Sequence, residues 1–339
     1  MKDESLPLPA SPDSQRASRL LLIFHFFLSA FYARDVYYFY QPLGPFQQWM
    51  ESTLRGNISA PQQYRVAMPW LVISLHRLLR FQATHAEAIW VFVFAFFALR
   101  LLQRLLALSR VYRQGSVVSR LALTGMQLAL LQLALPWVQY FPRPETFLNV
   151  FSAASLVYLV AGPVRPWTRW PGLLVVGTLQ AFTRTDVVGV IGGAAVLLAL
   201  LTISGEKRNR WLASGALLVA IAAVVQYLLV KRIFPHATYD AMTKPLQLAD
   251  NLRNLRRQID FLLGTGVSLI LLCGLLRCWR KLDSVDRLIA LSSILYLPLW
   301  GCMGILTEVR IFVPFMALLS VSGAKLVFRR VTVDSLQAA

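Results

Sequence analysis

Apolar residues in this chain collect in runs of about 17–20, the length of helix that crosses a hydrocarbon layer. Short stretches with charged residues separate them. The pattern predicts ten helical spans, at 20–38, 86–107, 121–139, 146–162, 172–184, 187–203, 212–230, 259–277, 288–305 and 311–328. The fold class expected is all-α, a polytopic transmembrane helical bundle of about 10 spans. One transmembrane domain occupies 19–330, with two longer external loops at 40–85 and 231–258. Residues 1–18, rich in Ser, Pro and Asp, read as an unstructured tail. Residues 331–339 read as a second tail. Leu20–Ala33 imitates a signal peptide, but cleavage after Ala33 would put bulky Phe31 where a small residue is needed. An uncleaved first helix is expected.

Arg65–Phe81 is ambiguous. It is long enough for an eleventh span, yet it carries Arg65, His76, Arg77 and Arg80 with apolar residues between them. That mixture suits a helix lying in the membrane interface.

Composition supports a membrane class. Of 339 residues, 57% are hydrophobic and 15% charged, with mean hydropathy +0.56. No soluble domain of any size fits between the runs. The net charge of +18 would raise nucleic acid as a partner in a soluble protein. Here the excess of basic residues in cytoplasmic connections accounts for much of it, and no nucleic acid is expected. Cys273, Cys278 and Cys302 lie in or beside apolar runs and read as small core hydrophobes. No zinc-ligand spacing, Walker motif, HExxH or GxSxG occurs.

With ten spans both termini fall on the cytoplasmic side of the inner (plasma) membrane. That side then holds Lys2, Arg16, Arg19, Arg100, Arg104, Arg110, Arg113, Arg120, Arg165, Arg169, Lys207, Arg208, Arg210, Arg277, Arg280, Lys281, Arg287, Lys325, Arg329 and Arg330, 20 of the 34 Lys and Arg. Counting 65–81 as a span inverts this order for most of the chain.

Gly172–Leu201 is 30 residues long, roughly 45 Å as a helix. That exceeds one upright span of about 30 Å and falls short of two. Basic clusters flank both ends, so the chain is expected to turn back midway, at "FTRTD", Phe182–Asp186. Two short helices would leave Arg184 and Asp186 below the outer surface, facing a cavity.

Four acid–arginine sites then gather on the outer side. Arg34 and Asp35 end the first helix in "ARDVYYFY", whose aromatics suit an interfacial belt. Arg143 and Glu145 lie in the turn "YFPRPETF". Arg184 and Asp186 form the third, Glu308 and Arg310 the fourth. Each has a bland reading: a helix-end charge at Asp35, an N-terminal capping acid at Glu145, and structural ion pairs at the other two. Four on one face suggest a common cavity for something polar and charged. Arg and Lys donate to phosphate, and carboxylates accept a hydroxyl proton. The loop 231–258 adds Lys231, Arg232, Lys244, Arg253, Arg256 and Arg257, against the usual charge bias. An anionic ligand or a solvated loop would each account for it. His236 and Tyr239 lie in that loop. His25, inside the first helix, reads as hydrogen-bonding a neighbouring helix. His76 and His85 flank the interfacial helix. Gly189, Gly192 and Gly193 form a small-residue packing face.

The order of these features resembles the GT-C superfamily of membrane glycosyltransferases, over roughly residues 20–330. Family members place an acidic motif directly after the first helix, where Asp35 stands. "PQQYRVAMPWLVISLHRLL", Pro61–Leu79, is similar to a loop segment in aminoarabinose and related transferases. Glu145 matches a second acidic site that opens a helix, and Glu308–Arg310 resembles a late E-x-R. The sequence departs from the pattern in having one acid at the first motif, Glu at 145 and no large C-terminal soluble domain.

The resemblance implies sugar transfer from a polyprenyl-phosphate-linked donor to an acceptor hydroxyl on the outer face. Membrane lipid and the polyprenyl-phosphate sugar are the implied partners, and a divalent cation is a possible cofactor. Asp35 and Glu145 would be catalytic, with Asp35 the base. Arg34, Tyr64, Arg65, Arg143, Arg184, Asp186, Tyr239, Lys244, Glu308 and Arg310 would bind substrate, with Arg310 and Arg184 on the phosphate. Two other readings stand beside it: a transporter or flippase of a polar or anionic lipid-linked substrate, and a non-catalytic membrane assembly protein.

Overall fold

A computed structural model describes residues 12–41, 46–134, 143, 145–238 and 246–337. The described residues are all-helical, without strands. Thirteen α-helices follow in chain order: α1 (Pro12–Tyr40), α2 (Phe46–Arg55), α3 (Ala67–Leu79), α4 (Ala83–Ala107), α5 (Arg110–Gln114), α6 (Val117–Ala134), α7 (Thr146–Ala161), α8 (Pro166–Leu201), α9 (Glu206–Leu228), α10 (Leu248–Arg253), α11 (Leu255–Arg277), α12 (Ser284–Met303) and α13 (Val313–Gln337). Seven segments among the described residues are long and apolar enough to cross a membrane: Ser18–Tyr40, Ala83–Ala107, Pro166–Leu201, Glu206–Ile233, Leu255–Arg277, Ser284–Met303 and Val309–Phe328.

Several expectations change. The first helix begins at Pro12, inside the tail read as unstructured, and the last continues to Gln337, through most of the second tail. Arg65–Phe81 contains the 13-residue α3, about 20 Å long and too short to cross upright. Its C-cap, Arg80, takes the left-handed conformation at φ 54°, which stops the helix. The predicted spans 121–139 and 146–162 correspond to α6 and α7, which are shorter apolar helices. Residues 135–139 lie outside the described residues.

α8 is two helical arms meeting at a break. Arg184 leaves helical geometry at φ −158°, ψ 98°, inside the turn predicted at Phe182–Asp186. The two arms, 166–183 and 185–201, double back against α9. A Cβ placed on Gly177 would lie 3.2 Å from Leu218 Cδ2, and one on Gly192 would lie 2.9 Å from Leu218 Cβ. A straight helix would set those glycines about 22 Å apart. At the tip, Thr185 Oγ1 donates to Gln226 Oε1 at 2.6 Å. Gly192 is needed here because Gly215 O would sit 2.9 Å from its Cβ.

Buried polar groups tie the bundle at the end remote from this tip. Arg169, 3% exposed, donates to the carbonyls of Leu159, Gly162 and Val164 at 2.9, 3.2 and 2.6 Å. It thereby satisfies carbonyls at the end of α7 and just beyond it. Lys325, one of the basic residues counted toward the cytoplasmic side, is buried in α13. Its Nζ donates to Asp286 Oδ1 of α12 at 2.8 Å, and Ser322 donates to the same oxygen at 2.7 Å. The last helix is the most enclosed, with 83% of its apolar window buried, so the others pack around it.

Candidate functional site

The tip of α8 is where distant segments meet. Before α3, a 3-10 turn at Gln62–Tyr64 presents Tyr64 and Arg65. The last turns of α12 bring Tyr296 and Trp300, and a 3-10 turn, Val309–Phe312, leads from α12 into α13. Together they enclose a cavity of about 260 Å³. Its polar lining includes Gln62, Tyr64, Arg65, Arg184, Asp186, Gln226, Tyr296 and Glu308; its apolar lining includes Leu229, Leu299, Trp300 and Met303. Such a mixture suits a ligand with a charged end and an apolar end.

Arg184 organises the polar side. Its guanidinium bonds both oxygens of Asp186, through Nε at 3.2 Å and through Nη2. Nη2 also donates to the Tyr296 hydroxyl, and Nη1 donates to Ile311 O at 3.0 Å. Tyr296 OH donates onward to Asp186 Oδ2 at 2.9 Å, and Val187 N donates to Asp186 Oδ1 at 3.0 Å. Asp186 is therefore held by donors on both oxygens. Tyr296 packs on Phe315 and Phe312, with Phe312 also stacked on Trp300. This aromatic block fixes the floor under the ion pair.

Arg310 Nη2 donates to Glu308 Oε1 at 2.8 Å. Glu308 lines the cavity, and its second oxygen makes no hydrogen bond among the described residues. Arg310 is more enclosed, and its Nε is buried without a partner among them.

Glu145 takes a partner other than its sequence neighbour. Arg65 Nη1 donates to Glu145 Oε1 at 2.9 Å, across 80 residues. Arg143 instead lies over the Trp49 ring, 5.9 Å from its centroid. Burial alone would push the Glu145 carboxyl up. The Arg65 and Arg143 guanidiniums outweigh it and hold the carboxyl below the usual range.

The structure thus brings Tyr64, Arg65, Arg184, Asp186 and Glu308 to one cavity, with Glu145, Arg143 and Arg310 next to them through charge. Arg34 and Asp35 do not line it. Arg34 lies over the Tyr38 ring at 5.6 Å. Asp35 is half-buried on α1 and makes no ion pair with Arg34. Tyr239 and Lys244 lie outside the described residues.

Sequence reasoning missed three groups. Tyr296 has no charge and sits in an apolar run, so only the fold exposes its role. Gln226 is an exposed amide within an apolar helix, a signal that was readable. Glu87 of α4 is fully buried with neither carboxylate oxygen bonded among the described residues, and it feels the charge of Glu145. In sequence it looks like an ordinary acid near a helix start. Among the described residues no group of three or more His, Cys, Asp or Glu could hold a metal ion.

Comparison with family models, with curated proteins and with solved structures finds no match to this chain.

Proposed function

We propose that this chain is a multi-pass membrane glycosyltransferase of GT-C type, with about ten crossings counting both arms of α8 and the shorter apolar helices. It transfers a sugar from a polyprenyl-phosphate donor to an acceptor hydroxyl. One observation carries the reading: Arg65, Arg184, Asp186 and Glu308, drawn from three separate chain regions, line a cavity that also has an apolar lining. The apolar part accommodates the first isoprene units of the donor. The charged part accommodates its phosphate and sugar.

In the reaction the acceptor oxygen attacks the anomeric carbon, and the bond from that carbon to the phosphate oxygen breaks. The phosphate leaves with the electron pair, so negative charge grows on it. Arg65 and Arg184 stand at the cavity wall to stabilise that charge. A guanidinium has five donors, and Arg65 uses Nη1 on Glu145. The acceptor proton goes to a carboxylate with a free lone pair in the cavity. Glu308 meets that need through its second oxygen, whereas both oxygens of Asp186 are occupied. The base role therefore passes from Asp35 to Glu308, and Arg310 holds Glu308 in place. Glu145 becomes a positioning residue for Arg65.

The test is transfer of labelled sugar from a polyprenyl-phosphate donor by the purified full chain, with Glu308→Gln and Asp35→Asn side by side. Loss concentrated in Glu308→Gln supports the assignment. A greater loss in Asp35→Asn returns the base to α1. No transfer by the wild-type chain from any such donor removes the glycosyltransferase reading.

A further inference from the structure

The junction of α10 and α11 plays no part in the proposed reaction, yet its surface is unusual. Leu246, Leu248, Leu252 and Leu255 are 66, 40, 67 and 68% exposed. The exposed apolar row continues down α11 through Ile259, Leu262, Leu263, Val267 and Ile270, spaced as one helix face. α11 is long and apolar enough to cross a membrane, so that face suits acyl chains. At the elbow itself, basic residues are interspersed with the leucines. Arg253 is exposed, and the Arg256 side chain is 90% exposed with only a loose approach to Asp260 at 3.9 Å.

We propose that the α10–α11 elbow is a binding site for anionic phospholipid headgroups. The leucines enter the acyl region, and Arg253 and Arg256 meet headgroup phosphates at its edge. Two observations favour lipid over a soluble partner. From Leu255 the exposed leucines run on at helical spacing into the lipid-suited face of α11. Arg253 and Arg256 stand on either side of Leu255, where the α11 face begins, and long basic side chains at such an edge reach a phosphate layer.

The elbow is also fastened to the cavity wall. Asn251, 1% exposed, donates through Nδ2 to Gly301 O at 2.9 Å and Gly304 O at 2.7 Å. Its Oδ1 accepts from Leu306 N at 3.3 Å. Gln247 N donates to Cys302 O at 2.8 Å, and Gln247 itself lines the cavity. A headgroup held at Arg253 and Arg256 therefore steadies the segment that carries Glu308.

The test uses the full chain in a neutral detergent, titrated with short-chain phosphatidylglycerol or phosphatidylcholine and read by native mass spectrometry. Inorganic phosphate and an acidic phosphopeptide serve as competitors. Retention of phosphatidylglycerol over phosphatidylcholine is expected, falling about fivefold for each arginine removed in Arg253→Gln and Arg256→Gln. Arg253→Lys with Arg256→Lys keeps most of it, which separates lost charge from lost folding. Equal retention of both lipids, or no change in the Gln variants, overturns the proposal. So does displacement by millimolar phosphate, which would make this a free-anion site, or by the phosphopeptide, which would make it a protein-docking surface.

Discussion

Arg184 Nη1 donates to the Ile311 carbonyl at 3.0 Å, across 127 residues. The bond ties the break in α8 to the 3-10 turn ahead of α13. Arg184→Ala removes this link together with the Asp186 and Tyr296 bonds, leaving Asp186 without its cation. Breaking a buried pair from one side costs about 3–5 kcal/mol. Asp186 is partly exposed, so a loss of about 2 kcal/mol is expected. Denaturant unfolding in detergent measures it, with Tyr296→Phe losing less than Arg184→Ala.

Gly192 and Gly193 are neighbours with opposite surroundings. A Cβ on Gly192 meets Gly215 O at 2.9 Å and Val219 N at 3.0 Å, both backbone; one on Gly193 meets nothing within 4 Å. Gly192→Ala should therefore force α8 and α9 apart, at about 1–3 kcal/mol. Gly193→Ala should unfold at or above the wild-type midpoint. Thermal midpoints of the two variants, measured together, decide the matter.

Lys325 and Asp286 form the pair most completely removed from solvent, at 1 and 2% exposure. Lys325→Met alone leaves Asp286 buried without its cation and should cost about 3–5 kcal/mol. Joining it to Asp286→Leu should recover most of that loss, because two apolar side chains need no partner. A double-mutant cycle on unfolding free energy checks the sign of the coupling.

Glu145 predicts a pH effect. Its folded pKa lies below the ordinary value, with the Arg65 and Arg143 guanidiniums outweighing burial. The unfolded carboxyl titrates near the usual value of about 4.3. The Arg65 bridge thus contributes its full stability above that pH, and the contribution falls away as pH drops toward the folded pKa. Midpoints recorded from neutral to acid pH should fall less steeply in Glu145→Gln than in the wild type.

If Glu308 is the base, Glu308→Gln should lower labelled-sugar transfer by about 10²–10⁴-fold. Its midpoint should change little, because among the described residues the Glu308 side chain bonds only Arg310, and a glutamine Oε1 still accepts from that guanidinium. Arg310→Lys should give a smaller loss. A Glu308→Gln protein with full transfer would move the proton acceptor elsewhere.

The sequence made the break in α8 legible because length and charge conflicted. A mostly apolar stretch of 30 residues with basic clusters at both ends could neither cross once nor cross twice in full. α3 was legible through His76 and Arg77 within it and Arg65 and Arg80 beside it. The pairing of charges was not. Nearness in sequence pairs Glu145 with Arg143, but the turn before α3 brings Arg65 to it instead. A shared outer side and the order along the chain set Asp35 with the cavity, but neither says which way α1 turns its residues. Tyr296 and Glu87 were invisible for a different reason. Their surroundings come from helices far away in the chain, and neither local charge nor periodicity marks them.

The reversal at Arg184 has a bearing on sidedness. Since both arms of α8 lie against Leu218, the loops at 162–165 and 202–205 leave the bundle at one end. Single cysteines at Val164 and Ser204, in a background without the three native ones, should then react with an impermeant maleimide from the same side of sealed vesicles. An unbroken rod would show one to each side. On this geometry the segment is expected to add nothing to the parity of crossings, and a fusion reporter placed after it should keep the compartment of one placed before.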